Sequence, residues 1–266
     1  GSVAGLPFDL ASGLVHLEPG WVQLSPLSPI RLSRRGGVAL EVTGKVPLEG
    51  ESGVEPEGLE VDANLIGGGL GLLADSPLVG AATGPLELAL HFRGRRDDPD
   101  VSGHARITDG SLTPTWLLPP LQKVQLFAQI EHGQVELQRA EARVTDDGPL
   151  LKLETLNAAR PAFTFERWLP AAFNLRLRSS RSGIPLRSTP ALAFIDGQAH
   201  PDLRLSGSWN SPLLEGVLSL DKGSQDKALV QWPPRFAKGG TDSSSGFLDA
   251  LRFSLRLVAR HDVMVR

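Results

Sequence analysis

The sequence predicts an all-β fold, and two observations lead to that prediction. Apolar and polar residues alternate with period two in several segments, most clearly in 86–92 and 251–257. Strict alternation places one set of side chains on each face of a strand. Helical periodicity is nearly absent, and 21 prolines and 29 glycines are spread along the 266 residues. Because both residue types interrupt helices, long helices are not expected.

The strand-like segments are separated by turn signals along the whole chain. Further alternating runs cover 173–177 and 203–205. Residues 124–130, a Glu-His-Gly-Gln turn and residues 135–137 together predict a β-hairpin. Turn dipeptides stand at Gly36-Gly37, Asp109-Gly110, His132-Gly133, Asp147-Gly148, Asp196-Gly197 and Lys222-Gly223. Alternation by itself does not choose between a sandwich, a barrel and an open sheet.

A set of glycines and prolines with fixed spacing occurs twice. The pattern G-x4-P-x3-G-x6-G covers 94–110 and again 207–223, and each copy follows an alternating strand and encloses a second one. Proline sets φ in a turn, and glycine permits positive φ or a bulge. The repeat predicts stacked β units. Its members are Gly94, Pro99, Gly103 and Gly110 in the first copy, and Gly207, Pro212, Gly216 and Gly223 in the second.

Composition argues against several classes of protein. The net charge is -3, so the basic surplus typical of nucleic-acid binders is absent. Because the chain has no cysteine, disulfide scaffolds, zinc-cysteine sites and thiol catalysis are excluded. The longest uncharged apolar run, 65–74, is half of the roughly twenty residues that span a bilayer.

The chain is interpreted as one continuous unit, residues 1–266, cut from a longer protein. Gly1-Ser2 resembles a cloning scar, so any membrane anchor is expected outside this segment. The stretch 233–246 is poor in apolar residues and is expected to be a mobile loop.

No catalytic, metal or cofactor site is expected. The six histidines are scattered without i, i+2 or i+4 pairs, and the Asp97, Asp98, Asp100 cluster stands beside arginines as in a solvated loop. Gly69–Ala74 matches G-x-G-x-x-A, but Pro77 prevents the helix that a dinucleotide site requires. The chain is therefore not expected to be an enzyme.

Three segments resemble the TamB family of translocation and assembly module proteins and, more loosely, AsmA-like envelope proteins. They are LRLSGSWNSPLLEGVLSLDKG at 203–223, LQKVQLFAQIEHGQVELQRAEARV at 121–144 and the closing FLDALRFSLRLVARHDVMVR. The resemblance implies an elongated antiparallel sheet, curled into an open trough with an apolar interior (a β-taco). It also implies a periplasmic location, an inner-membrane anchor, and roles in phospholipid transport and outer-membrane protein assembly.

Partners follow from the same resemblance: phospholipid acyl chains, and an outer-membrane Omp85-type barrel. The family's terminal domain is incomplete at Arg266, so contact with that barrel is assigned to regions outside this fragment.

With the resemblance, the apolar members of the alternating runs become candidate residues of a lipid groove. They are Leu86, Leu88, Leu90, Phe92, Val124, Leu126, Phe173, Leu175, Leu177, Leu203, Leu205, Leu218, Leu220, Phe253, Leu255 and Leu257. The alternative is that the same residues form the sealed core of a structural stalk without a ligand, as in adhesins or autotransporters. A hydrolase or lyase on a β-solenoid would need convergent carboxylates, which the sequence does not display.

Overall fold

The computed structural model describes residues 2–3, 6–7, 9–34, 38–48, 57–67, 69–71, 79–114, 119–166, 169–186, 195–225, 250–261 and 264–265. These residues are almost entirely strands, which confirms the all-β class. The first strands are β1 (Ser2–Val3), β2 (Leu6–Pro7), β3 (Leu10–Ser12), β4 (Val15–Glu18), β5 (Trp21–Leu24), β6 (Ile30–Arg34), β7 (Val38–Pro47), β8 (Glu57–Ile66), β9 (Val79–Thr83) and β10 (Leu86–Arg95). The others are β11 (Pro99–Pro114), β12 (Leu121–Glu131), β13 (Gln134–Arg143), β14 (Leu150–Thr155), β15 (Phe163–Glu166), β16 (Leu169–Ser179), β17 (Ile184–Leu186), β18 (Ile195–Ser208), β19 (Ser211–Gln225), β20 (Arg252–His261) and β21 (Met264–Val265).

One 19-stranded sheet contains all of these strands except the β1–β2 pair. Its pairings pass from β7 through β8, β10, β11 and β12 to β13, which pairs with both β14 and β15. Both of these pair with β16, and β18 and β19 follow. These ten successive positions are separated by nine intervals of about 4.8 Å, which makes roughly 43 Å of sheet. The large sheet matches the predicted class, while the curl into a trough stays a prediction.

The predicted hairpin is present as β12 and β13. Its turn residues, His132 and Gly133, have φ of 49° and 66°. Positive φ at both central residues is the signature of a two-residue turn whose twist matches that of the strands. The strands extend beyond the predicted limits, to 121–131 and 134–143.

The last strands differ from the predicted antiparallel arrangement. Among the described pairings of the large sheet, β20 and β21 are the ones that run parallel to their neighbour, β19. A parallel neighbour requires a crossover of a dozen or more residues, and residues 226–251 supply more than that. The predicted loop at 233–246 lies outside the described residues.

The two copies of the glycine and proline pattern share the strand register and the positive φ of their first glycine. Gly94 pairs with Pro99 and Gly207 with Pro212, and the two glycines have φ of 94° and 92°. Gly103 in the first copy and Gly216 in the second also occupy equivalent positions. A Cβ at Gly103 would lie 2.0 Å from the Ala89 carbonyl oxygen, and one at Gly216 would lie 2.1 Å from that of Asp202. Glycine is required at both positions because no side chain fits against the neighbouring strand.

Buried apolar side chains form three clusters along the sheet. The largest joins residues of β12, β13, β14, β17, β18 and β19, with Ile184 and Ala199 almost fully buried. The second gathers around Val101 and Val135, and the third around Leu70. The sheet is thus stabilised by several local clusters distributed along its length.

Candidate functional site

The apolar members of the alternating strands share one face of the large sheet, which we call the apolar face. Residues directly opposite each other on neighbouring strands point to the same side. One row of opposed residues crosses four strands at Leu175, Leu205, Leu214 and Phe253. The next row consists of Leu177, Leu203, Gly216 and Leu255. By the same register, all sixteen predicted groove residues lie on this face.

The exposure of the apolar face differs between its two parts. On β11–β13 its members Val101, Ile130 and Val135 are buried, whereas on β16–β19 the centre of the face is more exposed. Within β16–β19, Ala199 and Leu220 at one margin and Pro212 at the other are buried. Three rows lie between them. The two rows described above are half-buried at every leucine and phenylalanine position, and the third consists of buried Pro201 and half-buried Leu218. The core of a two-sheet sandwich has the opposite profile, because side chains of the facing sheet cover the centre most completely. Of the sixteen predicted residues, Leu220 is buried, Leu257 is 44% exposed and the others are half-buried.

The apolar face continues into an N-terminal part that the sequence analysis did not include. Leu17 lies opposite Val22, and Val22 lies opposite Val46 on the same side. Val15 and Leu17 are 44% and 77% exposed. Together with Leu257 at the other end, they leave the face uncovered at both ends of the described sheet. The short Val-His-Leu-Glu alternation at 15–18 carried the signal for this extension.

The opposite, polar face carries ion pairs across neighbouring strands. Arg31 contacts Glu41, His91 contacts Asp62, and Arg178 contacts Glu154. In the best aligned pair, the Arg176 guanidinium donates a hydrogen bond from Nε to Asp202 Oδ1 at 2.7 Å. This bond holds the pKa of Asp202 below its ordinary value and raises that of Arg176. The charged side chains therefore lie on the solvated, polar face of the sheet. The two rows of the apolar face described above contain no ionic group.

Several of the residues considered for other chemistry contact a neighbouring charged side chain. In the described part of the chain, no group of three or more His, Cys, Asp or Glu residues is placed to hold a metal ion. Asp97 contacts Arg95, and Asp100 contacts His132 at 2.9 Å. The segment 69–74 is described only through Gly71.

Two of the tryptophans are described. The Trp209 ring packs 5.9 Å from that of Phe173 at one margin of the apolar face, and Trp21 packs over Gly58.

No protein family model, curated protein or solved structure matches this chain. Over the described residues, no helix combines the length and the apolar character needed to cross a membrane. The site must therefore be interpreted from its own geometry.

Proposed function

We propose that this chain is a lipid-binding and lipid-conducting segment of an envelope biogenesis protein, and that it shelters acyl chains on its apolar face. The observation that carries the proposal is the exposure profile of that face. On β16–β19 its central rows, which contain Leu205 and Leu203, are half-buried, while Ala199, Leu220 and Pro212 at the margins are buried. A hydrocarbon chain laid along the centre would cover the leucine side chains that the protein itself leaves in contact with water.

The dimensions of the face suit this occupant. One leaflet of a bilayer holds acyl chains over about 15 Å, half of the roughly 30 Å hydrocarbon core. The sheet from β7 to β19 extends roughly 43 Å across its strands, so a chain has room to lie at successive positions. From β16 to β20 the two rows consist of leucine, phenylalanine and one glycine, and on β14 they continue as Thr155 and Leu153. No residue of these two rows carries a charge that would hinder sliding.

The energetics favour transient binding. Each CH₂ removed from water contributes about 0.8 kcal/mol, so a sixteen-carbon chain sheltered on one side only gains about 6 kcal/mol. Association costs at least about 4 kcal/mol in lost translational and rotational freedom. The small surplus suits a surface that passes lipid along and does not store it.

The cellular setting in this proposal rests on the resemblance to the TamB family. It comprises a periplasmic location, an inner-membrane anchor in the full-length protein, and a contact with an outer-membrane barrel outside this segment. The competing function, a ligand-free structural stalk, would require a sealed apolar face. The half-buried central rows favour lipid binding over a ligand-free stalk.

Lipid extraction tests the proposal. The purified chain is extracted with organic solvent, and phospholipid is quantified by mass spectrometry. Leu205→Asp places a carboxylate in the central row, whereas Ser206→Asp places the same group on the polar face of the same strand. We expect bound phospholipid in the wild type and in Ser206→Asp, and a loss of at least fivefold in Leu205→Asp. Circular dichroism checks that both variants fold, and Leu205→Trp fills the row without a charge. Absence of phospholipid from the wild type would exclude the proposal.

A further inference from the structure

The large sheet has an opening between β13 and β14. At one end of β13, Glu141 pairs with Lys152 of β14, and at the other end Val135 pairs with Phe163 of β15. Residues 136–140 have no partner on this side within the described chain. The paired residues 135 and 141 that bound this unpaired stretch are roughly 20 Å apart along β13, at about 3.3 Å per residue. We call this opening the window.

The far rim of the window is built by the 156–162 connection between β14 and β15. Asn174 of β16 fixes it, because its Nδ2 donates to the carbonyl oxygens of Asn157, Arg160 and Pro161 at 3.0, 3.2 and 3.1 Å. Its Oδ1 accepts a hydrogen bond from the Asn157 N–H at 3.2 Å. The window is therefore a defined feature of the fold, held open by a side-chain network.

The window holds a depression of about 540 Å³ lined by side chains of both faces of the sheet. Leu137 and Leu153 belong to the apolar face, since they lie opposite Ala128 and Leu177. Glu136 and Lys152 belong to the polar face. An amphiphile lying here would meet apolar side chains on one side and charged ones on the other.

The charges at the window favour an anionic group. Arg139 is paired with Glu141, and Glu154 with Arg178. Lys152 and Arg160 also line the depression. Among the ion pairs of the described residues, those at the depression involve Arg139 and Glu154 and neither of these two cations. Glu136 is the single lining carboxylate left without one. Two free cations against one free anion suit a phosphate monoanion, which accepts charge-assisted hydrogen bonds from both.

We infer that the window is a headgroup site, at which the phosphate of a lipid emerges from the apolar face and contacts Lys152 and Arg160. The acyl chain lies on the central rows while the head reaches water through the sheet. This inference rests on the proposed function and adds a fixed position and an anionic headgroup to it.

The test uses three probes: 1-palmitoyl-lysophosphatidylglycerol, 1-palmitoylglycerol, which has the tail without phosphate, and glycerol 3-phosphate, which has the phosphate without a tail. Binding to the whole chain is measured by calorimetry below the concentrations at which micelles form. The test variant is Lys152→Glu with Arg160→Glu. The matched control is Lys45→Glu with Arg256→Glu, which reverses two exposed charges away from the window.

We expect the window variant to bind the lysophospholipid at least tenfold more weakly and 1-palmitoylglycerol unchanged, with the control variant like the wild type. Equal losses for both lipids, or no loss for the lysophospholipid, would overturn the inference while leaving the proposed function standing. Tight binding of glycerol 3-phosphate alone would overturn it in favour of a free-phosphate site. If the wild type binds neither lipid, the proposed function fails as well.

A steric variant gives an independent check. The chain has no cysteine, so a single introduced thiol is labelled selectively. Gln138→Cys lies on the window, and Gln122→Cys lies outside it on β12. A biotin-maleimide adduct at position 138 is expected to weaken lysophospholipid binding about tenfold, and the same adduct at 122 to leave it unchanged. Equal behaviour of the two adducts counts against the window.

Discussion

Replacing Gly216 by alanine tests how closely the strands of this sheet approach each other. The glycine has φ of 140°, and an added Cβ would lie 2.1 Å from the Asp202 carbonyl oxygen. Forcing alanine into that backbone conformation costs about 1–3 kcal/mol. Overpacking adds about 1–3 kcal/mol. Against a typical total stability of about 5–15 kcal/mol, Gly216→Ala is expected to remove roughly 2–6 kcal/mol.

Two control glycines separate the contributions. Gly94 has φ of 94° but no atom within 4 Å of an added Cβ, so Gly94→Ala carries the backbone cost alone. At Gly71, the nearest neighbour is the Ala82 carbonyl oxygen at 3.9 Å, and φ is not in the positive region. We expect Gly71→Ala to change stability by less than about 0.5 kcal/mol. Gly103→Ala should match Gly216→Ala, since the two glycines occupy equivalent positions in the repeat.

Urea unfolding followed by tryptophan fluorescence measures the series. With an m-value of about 2–3 kcal/mol/M, a loss of about 4 kcal/mol lowers the midpoint by roughly 1–2 M. The expected order of destabilisation is Gly216→Ala, then Gly94→Ala, then Gly71→Ala. A Gly216→Ala midpoint equal to that of Gly71→Ala would refute the close strand approach on which the reasoning depends.

Three further predictions concern the polar side chains and the ends of the sheet. Asn174→Asp keeps the oxygen acceptor but replaces the amide donor, which faces three carbonyl oxygens, by a second acceptor. In urea unfolding it should therefore lower the free energy of unfolding by about 1–3 kcal/mol, and by more than Asn174→Ala does. The lowered pKa of Asp202 stabilises the fold above the carboxyl's unfolded pKa, and this contribution disappears as the pH falls through the folded pKa. Asp202→Asn should therefore flatten the loss of stability below about pH 4, by well under 1 kcal/mol because the pair is partly exposed; an unchanged acid profile would contradict it. Leu17→Ser, at a 77% exposed position, should alter stability by less than about 0.5 kcal/mol while lowering binding of a hydrophobic dye, and a large midpoint shift would contradict the exposure.

The sequence predicted the parts of the fold that depend on local periodicity. Alternation located β10, β16 and β20, and the His132-Gly133 dipeptide located the β12–β13 hairpin. The spaced glycines and prolines marked strand ends that pair across the turn. These features were accessible because side-chain alternation and turn chemistry are set within a few residues.

Other features depend on which strand meets which, and local patterns do not encode that. Alternation is the same in parallel and antiparallel strands, so the parallel pairing of β20 was not predicted. Gly44 makes the same close approach as Gly216, with a Cβ placed 2.0 Å from the Glu60 carbonyl oxygen, yet it lacks the spaced proline. The window arises because β13 has two partners on one side. Asn174 fixes this arrangement from β16, a strand that follows both partners in the sequence and pairs with each of them.

The reactivity of a central-row thiol tests most directly whether the apolar face is open to a hydrocarbon chain. Leu205→Cys lies in the half-buried central row, and Ala199→Cys lies at a margin position with 0% exposure. Each single-cysteine protein is treated with a small maleimide, with and without 1-palmitoyl-lysophosphatidylglycerol. We predict that the thiol at position 205 reacts at least tenfold faster than the one at 199, and that the lipid slows it. Two equally slow thiols, unaffected by lipid, would show a sealed core and contradict the account.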